Sequence, residues 1–539
     1  MRKTAALLLL ALLLLAGCSS KPHGGTPPPT TTDVSWAARA LHDDSDNHNH
    51  RDWTQHVGLS TPNFQELAHD PLGIPQFGNK TAGGYFCGGA ATTTEGRRLS
   101  VISSFDTSVA FVVVDTTDPA HPIHVGDYVL DHAQTYDVDI TPDGRHVAIA
   151  ADPSAGETPP GGGASALPTL DSIGRPEWSF DAAGVGKPVV LHQGFRDGCT
   201  GEFRAGPDQT VAAGPSTILV SLADPANPRF ESLAPAPVLG PHSVSTAIIG
   251  GTTYVGASIT NLLHQGSYYQ FFQVADTPLG PQLEQVSFVD AGQYGNNAEN
   301  GASGVALING HVDAEITVHP ATGKPVVYLS DWNGGLIVLD FSNPRVPLQL
   351  GSWKDAGPDA GAVHSTRSIP GLHDGRHYVL VGQEFVGHPS NRPSGWIYVL
   401  DDTDPTNVNE VGRWTLPVDV QSEWHGVELF STHYFRELNG TVFVAMYHGG
   451  VWAFRLDYAH PDSMQEPRSV GVFVPDKGPQ DGRKPTGFYD YAPFVLDVFP
   501  YDDSSLVIYD GLSGVYSVHY DAGKDMASPQ PWPANGKPL

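Results

Sequence analysis

The sequence predicts an all-β chain built as a single β-propeller of seven or eight four-stranded blades. Three observations carry this. One phrase recurs, an apolar run of β-type residues closed by a polar residue and an Asp-Pro or Asn-Pro turn. It reads "FVVVDTTDPAHP" at 111–122, "ILVSLADPANP" at 218–228, "LIVLDFSNPRVP" at 336–347 and "IYVLDDTDPTNV" at 397–408. It returns about every 40 to 65 residues, the length of one four-stranded blade. Helical periodicity is scarce past residue 70.

The chain opens "MRKTAALLLLALLLLAGCSS". Arg2 and Lys3 are a basic start, and residues 5–16 are uniformly apolar. That run falls short of the roughly 20 residues a membrane-crossing helix needs. It reads as a secretory signal peptide over 1–17. Leu15-Ala16-Gly17-Cys18 resembles a bacterial lipobox, which implies cleavage before Cys18 and lipid attachment there. Ser19, where an aspartate would retain a lipoprotein at the inner membrane, implies the outer membrane if the cell has one. Residues 18–60 read as a lipidated, Pro/Thr/Gly-rich and His/Asp-rich tether, including "LHDDSDNHNHRDW".

The propeller is expected over 61–525, with a tail at 526–539. The residues closing the apolar runs are Asp115, Asp181, Leu222, Asp276, Asp340, Asp401, Asp457 and Asp521. Each run is preceded by a Gly-containing turn and a further β-rich segment, as in "YDVDITPDGRHVAIAAD" and "GTVFVAMYHGG", and is followed by another strand, as in "QLGSWK". Proline ends a strand sharply because it lacks a ladder donor and fixes φ. Eight candidate units result. The second carries a loop-like insertion at 153–176, and the third is short and has Leu222 in place of aspartate; merging them gives seven. The stretch "NFQELAHDP" is expected to supply the outer strand of the last blade and close the ring.

These phrases resemble the LVIVD-repeat proteins, bacterial and archaeal surface propellers. "STHYFRELNGTVFVAMYHGGVWAFRLD", "VGVFVPD" and "LVIYDGLSGVYSVHYD" are similar to the closing blades of that family. The resemblance spans most of 85–521 and implies the fold, with little said of activity. A weaker likeness runs to the selenium-binding, methanethiol-oxidase-like propellers, which use histidines to hold a metal. None of their motifs maps onto this chain residue by residue.

There are 58 acidic and 29 basic side chains, a net charge of −29. Such a field repels a phosphate backbone, so nucleic acid is excluded as a partner. Apart from Cys18, the cysteines are Cys87 and Cys199. In an exported chain they are either a disulfide pair or two separate thiols. No Gly-x-Ser-x-Gly elbow, His-Glu-x-x-His, phosphate loop or Rossmann fingerprint occurs.

Aligning the units on the strand after the Gly turn brings Asp137, Asp313, His364, His433 and Asp497 to one place, expected at the channel mouth. His132, His242 and His425 are secondary candidates. Carboxylate with imidazole suits a divalent metal ion and also general acid–base work. Polar residues at inner-strand ends more often satisfy backbone groups and channel water. Long polar loops at 291–304 and 385–395 offer a face for a protein or glycan partner. The expected function is therefore a binding module, lipid-anchored to a membrane in the cell envelope. The alternative is a metal-dependent oxidase or hydrolase using the Asp/His cluster.

Overall fold

The computed structural model describes residues 58–72, 85–104, 109–130, 134–152, 189–191, 193–196, 203–205, 211–213, 216–236, 241–259, 268–291, 311–332, 334–355, 362–384, 395–415, 431–477 and 493–526. Cys18 and the tether before residue 58, Asp181, Cys199, His132, His425, most of the two long loops and the tail after Met526 lie outside these residues.

The described strands form seven four-stranded antiparallel blades of a propeller, with almost no helix. In five of the blades each strand pairs with the next in the chain, from the innermost to the outermost; blade two carries an insertion and blade seven takes its outer strand from the start of the chain. Residues 74–371 with 404–408 make one compact unit. The remaining residues make a second.

In the first unit, blade one runs from Tyr85–Thr92 to Ile123–Leu130. Blade two is Gln134–Ile140, His146–Asp152, Ser216–Ser221 and Arg229–Pro235. Its second strand pairs directly with its third, Val147 opposite Val220. The two short candidate units of the sequence are thus one blade carrying an insertion, which gives seven. The insertion sends Gln193–Arg196 back to pair with the outer strand of blade one. Ser221, and not Leu222, holds the register place that Asp115, Asp340 and Asp401 hold in their blades. Blades three and four run from Pro241–Ile249 to Gly280–Asp290 and from His311–Val318 to Leu348–Trp353. Val363–Ser368 begins blade five.

The second unit holds the rest of blade five, Tyr378–Gln383, Ile397–Asp401 and Asn409–Trp414, and then blade six, Phe435–Leu438 to Arg468–Phe473. Blade seven is Val495–Pro500, Ser505–Asp510 and Gly514–Tyr520, completed by Phe64–Asp70 from the start of the chain. That strand closes the blade as expected. Phe64 packs among Phe443, Phe473 and Tyr520, with ring centroids 5.0–6.4 Å apart. Asn63 Nδ2 donates to Val470 O at 3.0 Å, and Thr61 Oγ1 donates to Val472 O at 3.0 Å.

The recurrent closing aspartate has a local cause. Asp115, Asp340, Asp401, Asp457 and Asp521 each accept the N–H two residues on, from Thr117, Ser342, Thr403, Ala459 and Gly523. This Asx turn satisfies a backbone donor where the ladder stops. The apolar residues of the runs fill the seams between sheets. One cluster joins Val101, Phe111 and Val113 of blade one to Val138, Ile149 and Val220 of blade two. Another joins Phe443 and Ala453 of blade six to Val498, Ile508 and Tyr516 of blade seven. Side chains alternate across each strand, so both faces of a blade are packed and the strands read as near-continuous apolar runs.

Candidate functional site

The inner strands begin with a β-bulge. Pairing skips a residue between Thr135 and Asp137, Pro241 and Ser243, His311 and Asp313, and Val495 and Asp497. In blade six, His433 N–H donates to Ala445 O and Ala445 N–H donates to Tyr434 O, each at 2.9 Å. Two residues there oppose one, as a bulge requires. His433 and His242 are therefore the extra residues of their bulges, whereas Asp137, Asp313 and Asp497 stand one place further along.

The three carboxylates have partners on neighbouring blades. Asp137 Oδ2 accepts Val244 N–H of blade three at 3.1 Å. Asp313 is ion-paired with Arg367 of blade five. Asp497 lies 3.5 Å from the Arg436 guanidinium of blade six. All three are buried and tie one blade to its neighbour. His242 is half-buried on blade three, and packing around its ring pushes it down to about 4, leaving it neutral at physiological pH. Cys87 is buried on the inner strand of blade one.

His433 is held differently. Its Nδ1 lies 2.8 Å from Leu496 O. A carbonyl only accepts, so Nδ1 carries the proton and the lone pair sits on Nε2. A backbone carbonyl behind an imidazole is the usual means of aiming a metal-ligating histidine. The rings of Tyr434 and Tyr447 flank it at 4.7 and 4.9 Å between centroids. A ring nitrogen of His433 and a carboxyl oxygen of Glu384 lie within 4.8 Å of each other, and both residues are buried.

Glu384 follows the second strand of blade five. Thr432 Oγ1 donates to Gln383 O, which fixes the entry to blade six beside that strand end. The approach is so close that a Cβ on Gly395 would stand 2.4 Å from the same carbonyl, and Gly395 has φ +66°. Burial pushes the Glu384 carboxyl up to about 8, opposed by the hydrogen bond it receives from Tyr447 Oη. Tyr447 itself has φ +48°, a left-handed conformation that costs a bulky residue roughly 1–3 kcal/mol. Reciprocal 3.0 Å hydrogen bonds with Val495 hold it there.

Glu384 and Tyr447 occupy the same place in successive blades, one past the last residue of the second strand that bonds to the third. The sequence carries a matching repeat. "HSTRSIPG" (364–371) and "HYFRELNG" (433–440) share His, Arg and Gly at the same spacing. His364 stands second in the inner strand of blade five and is buried. At the other end of blade five, His377 Nδ1 and Asp402 Oδ2 are 3.5 Å apart and fully buried. The backbones of the same two residues are joined by Asp402 N–H to His377 O at 2.9 Å, so this pair closes the ladder of the second and third strands.

The sheets and their register define a seven-bladed β-propeller. A family model described as the LVIVD repeat matches residues 326–355, which cover the second, third and outer strands of blade four. With the seven blades, that match supports placing the chain among the LVIVD-repeat β-propellers. No curated protein matches. Among solved structures the chain is similar to the Cps50 (Swd1) β-propeller domain of Myceliophteria thermophila, at 10% identity and TM-score 0.37, over 82% of this chain and 98% of that one.

Proposed function

We propose that this chain is an envelope lipoprotein whose propeller binds a divalent transition-metal ion, through which it takes its ligand. Glu384 and His433 supply two ligands. One observation carries the reading: a buried imidazole, aimed by a backbone carbonyl, stands within 4.8 Å of a buried carboxyl. One imidazole and one carboxylate suit zinc, iron, manganese or copper and leave positions for exogenous ligands. The basic start, apolar core and lipobox before Cys18 support export and a lipid anchor. Among the described residues no helix is long and apolar enough to cross a membrane.

The test is metal analysis of the full-length protein in detergent, after exposure to zinc and removal of the excess. The reading requires about one ion per chain, with Glu384→Gln and His433→Ala each retaining far less. Wild-type protein that takes up no zinc, copper, iron or manganese ends it.

A further inference from the structure

We propose that Tyr447 is a positioning residue that confines Glu384 to one-oxygen ligation and so selects a low-coordinate transition metal over calcium. The inference rests on the metal site proposed above. Its own ground is the contact between Tyr447 Oη and Glu384 Oε1, made by a residue that the fold holds in a left-handed conformation. Nothing in the local turn needs a tyrosine. The equivalent place in blade four is Trp332 and in blade seven Gly511. The backbone pairing with Val495 uses only main-chain atoms, which any residue offers. What the side chain adds is a phenol donor directed at one carboxyl oxygen.

That donor decides how the carboxylate binds. An oxygen that accepts a hydrogen bond from a fixed phenol is a poor second bond to a cation, so Glu384 binds through Oε2 alone. A one-oxygen carboxylate beside an imidazole leaves two places of a four-coordinate site to exogenous ligands, which suits zinc, copper and cobalt. Calcium takes six to eight oxygens and commonly draws both from a carboxylate. The ring neighbours Tyr434 and Phe494 contribute no carboxylate or carbonyl side chain to make up that number.

The experiment loads full-length protein in detergent with cobalt(II) and reads its visible absorption, which is intense for four-coordinate cobalt and weak for higher coordination. Wild type is expected to give the intense band, and Tyr447→Phe, which keeps the ring, a band weaker by severalfold as Glu384 turns two-oxygen. A second measurement needs no variant: a large excess of calcium is expected to leave the wild-type cobalt band in place. An unchanged band in folded Tyr447→Phe, or displacement of cobalt by calcium from wild type, overturns the role of Tyr447 while leaving the metal site standing. Wild type that takes up no cobalt overturns both.

Discussion

The Tyr447 phenol donates its hydrogen bond to the Glu384 carboxyl, joining equivalent positions of blades six and five. It is made possible by the strained backbone of Tyr447 and by the close docking of Thr432 on Gln383. A carboxyl buried in this way holds its proton beyond the usual carboxylate range, and that has a measurable consequence.

Glu384 has its folded-state value raised to about 8 by burial, against an unfolded value of 4.5. Below the lower value both states are protonated and no difference arises. Between the two values the unfolded chain releases the proton that the folded chain keeps, so stability falls as pH rises, and it levels off above the upper value. Metal-free wild type is expected to lose more stability between pH 5 and pH 8 than metal-free Glu384→Gln, by urea unfolding at each pH. Equal losses contradict the assignment.

Blade closure is tested at Phe64. Its ring is almost wholly buried among three aromatic neighbours, and truncation to alanine opens a cavity in the seam of blades six and seven. Phe64→Ala is expected to cost about 3–5 kcal/mol by urea unfolding. A loss of a few tenths would mean that the first strand is dispensable.

The inner-strand aspartates are expected to act as staples. Asp497→Ala removes the carboxylate beside the Arg436 guanidinium and the acceptor of Val498 N–H, which costs about 1–3 kcal/mol. Zinc content of the folded variant should stay at the wild-type value. Loss of the metal in a variant that remains folded would return Asp497 to the site.

Much of this was legible in the sequence for a local reason. The Asx turn at Asp115, Asp340 and Asp401 is made within three residues, so each blade signs its own end. The blade count was less legible because an insertion separates His146–Asp152 from its partner Ser216–Ser221, and only the register reunites them. Aspartates and histidines share one place in the repeat because the bulge, an extra residue, leaves no mark in composition. His364 and His433 were visible as histidines, and their common "H-x-x-R-x-x-x-G" frame marks them as one repeated feature. Glu384 was not visible at all. Its significance depends on Tyr447, 63 residues away in the next blade.

The anchor has its own test. Cys18→Ser is expected to move the protein from the membrane fraction to the soluble fraction. A variant that stays membrane-bound in high salt contradicts lipid attachment at that residue.

The most direct measurement is X-ray absorption at the zinc edge on the loaded full-length protein. The account predicts a nitrogen/oxygen shell at about 2.0–2.1 Å with the outer scattering of an imidazole, lost in His433→Ala. A shell with no imidazole scattering, or a spectrum that His433→Ala leaves unchanged, contradicts the central claim that blades five and six build a metal site.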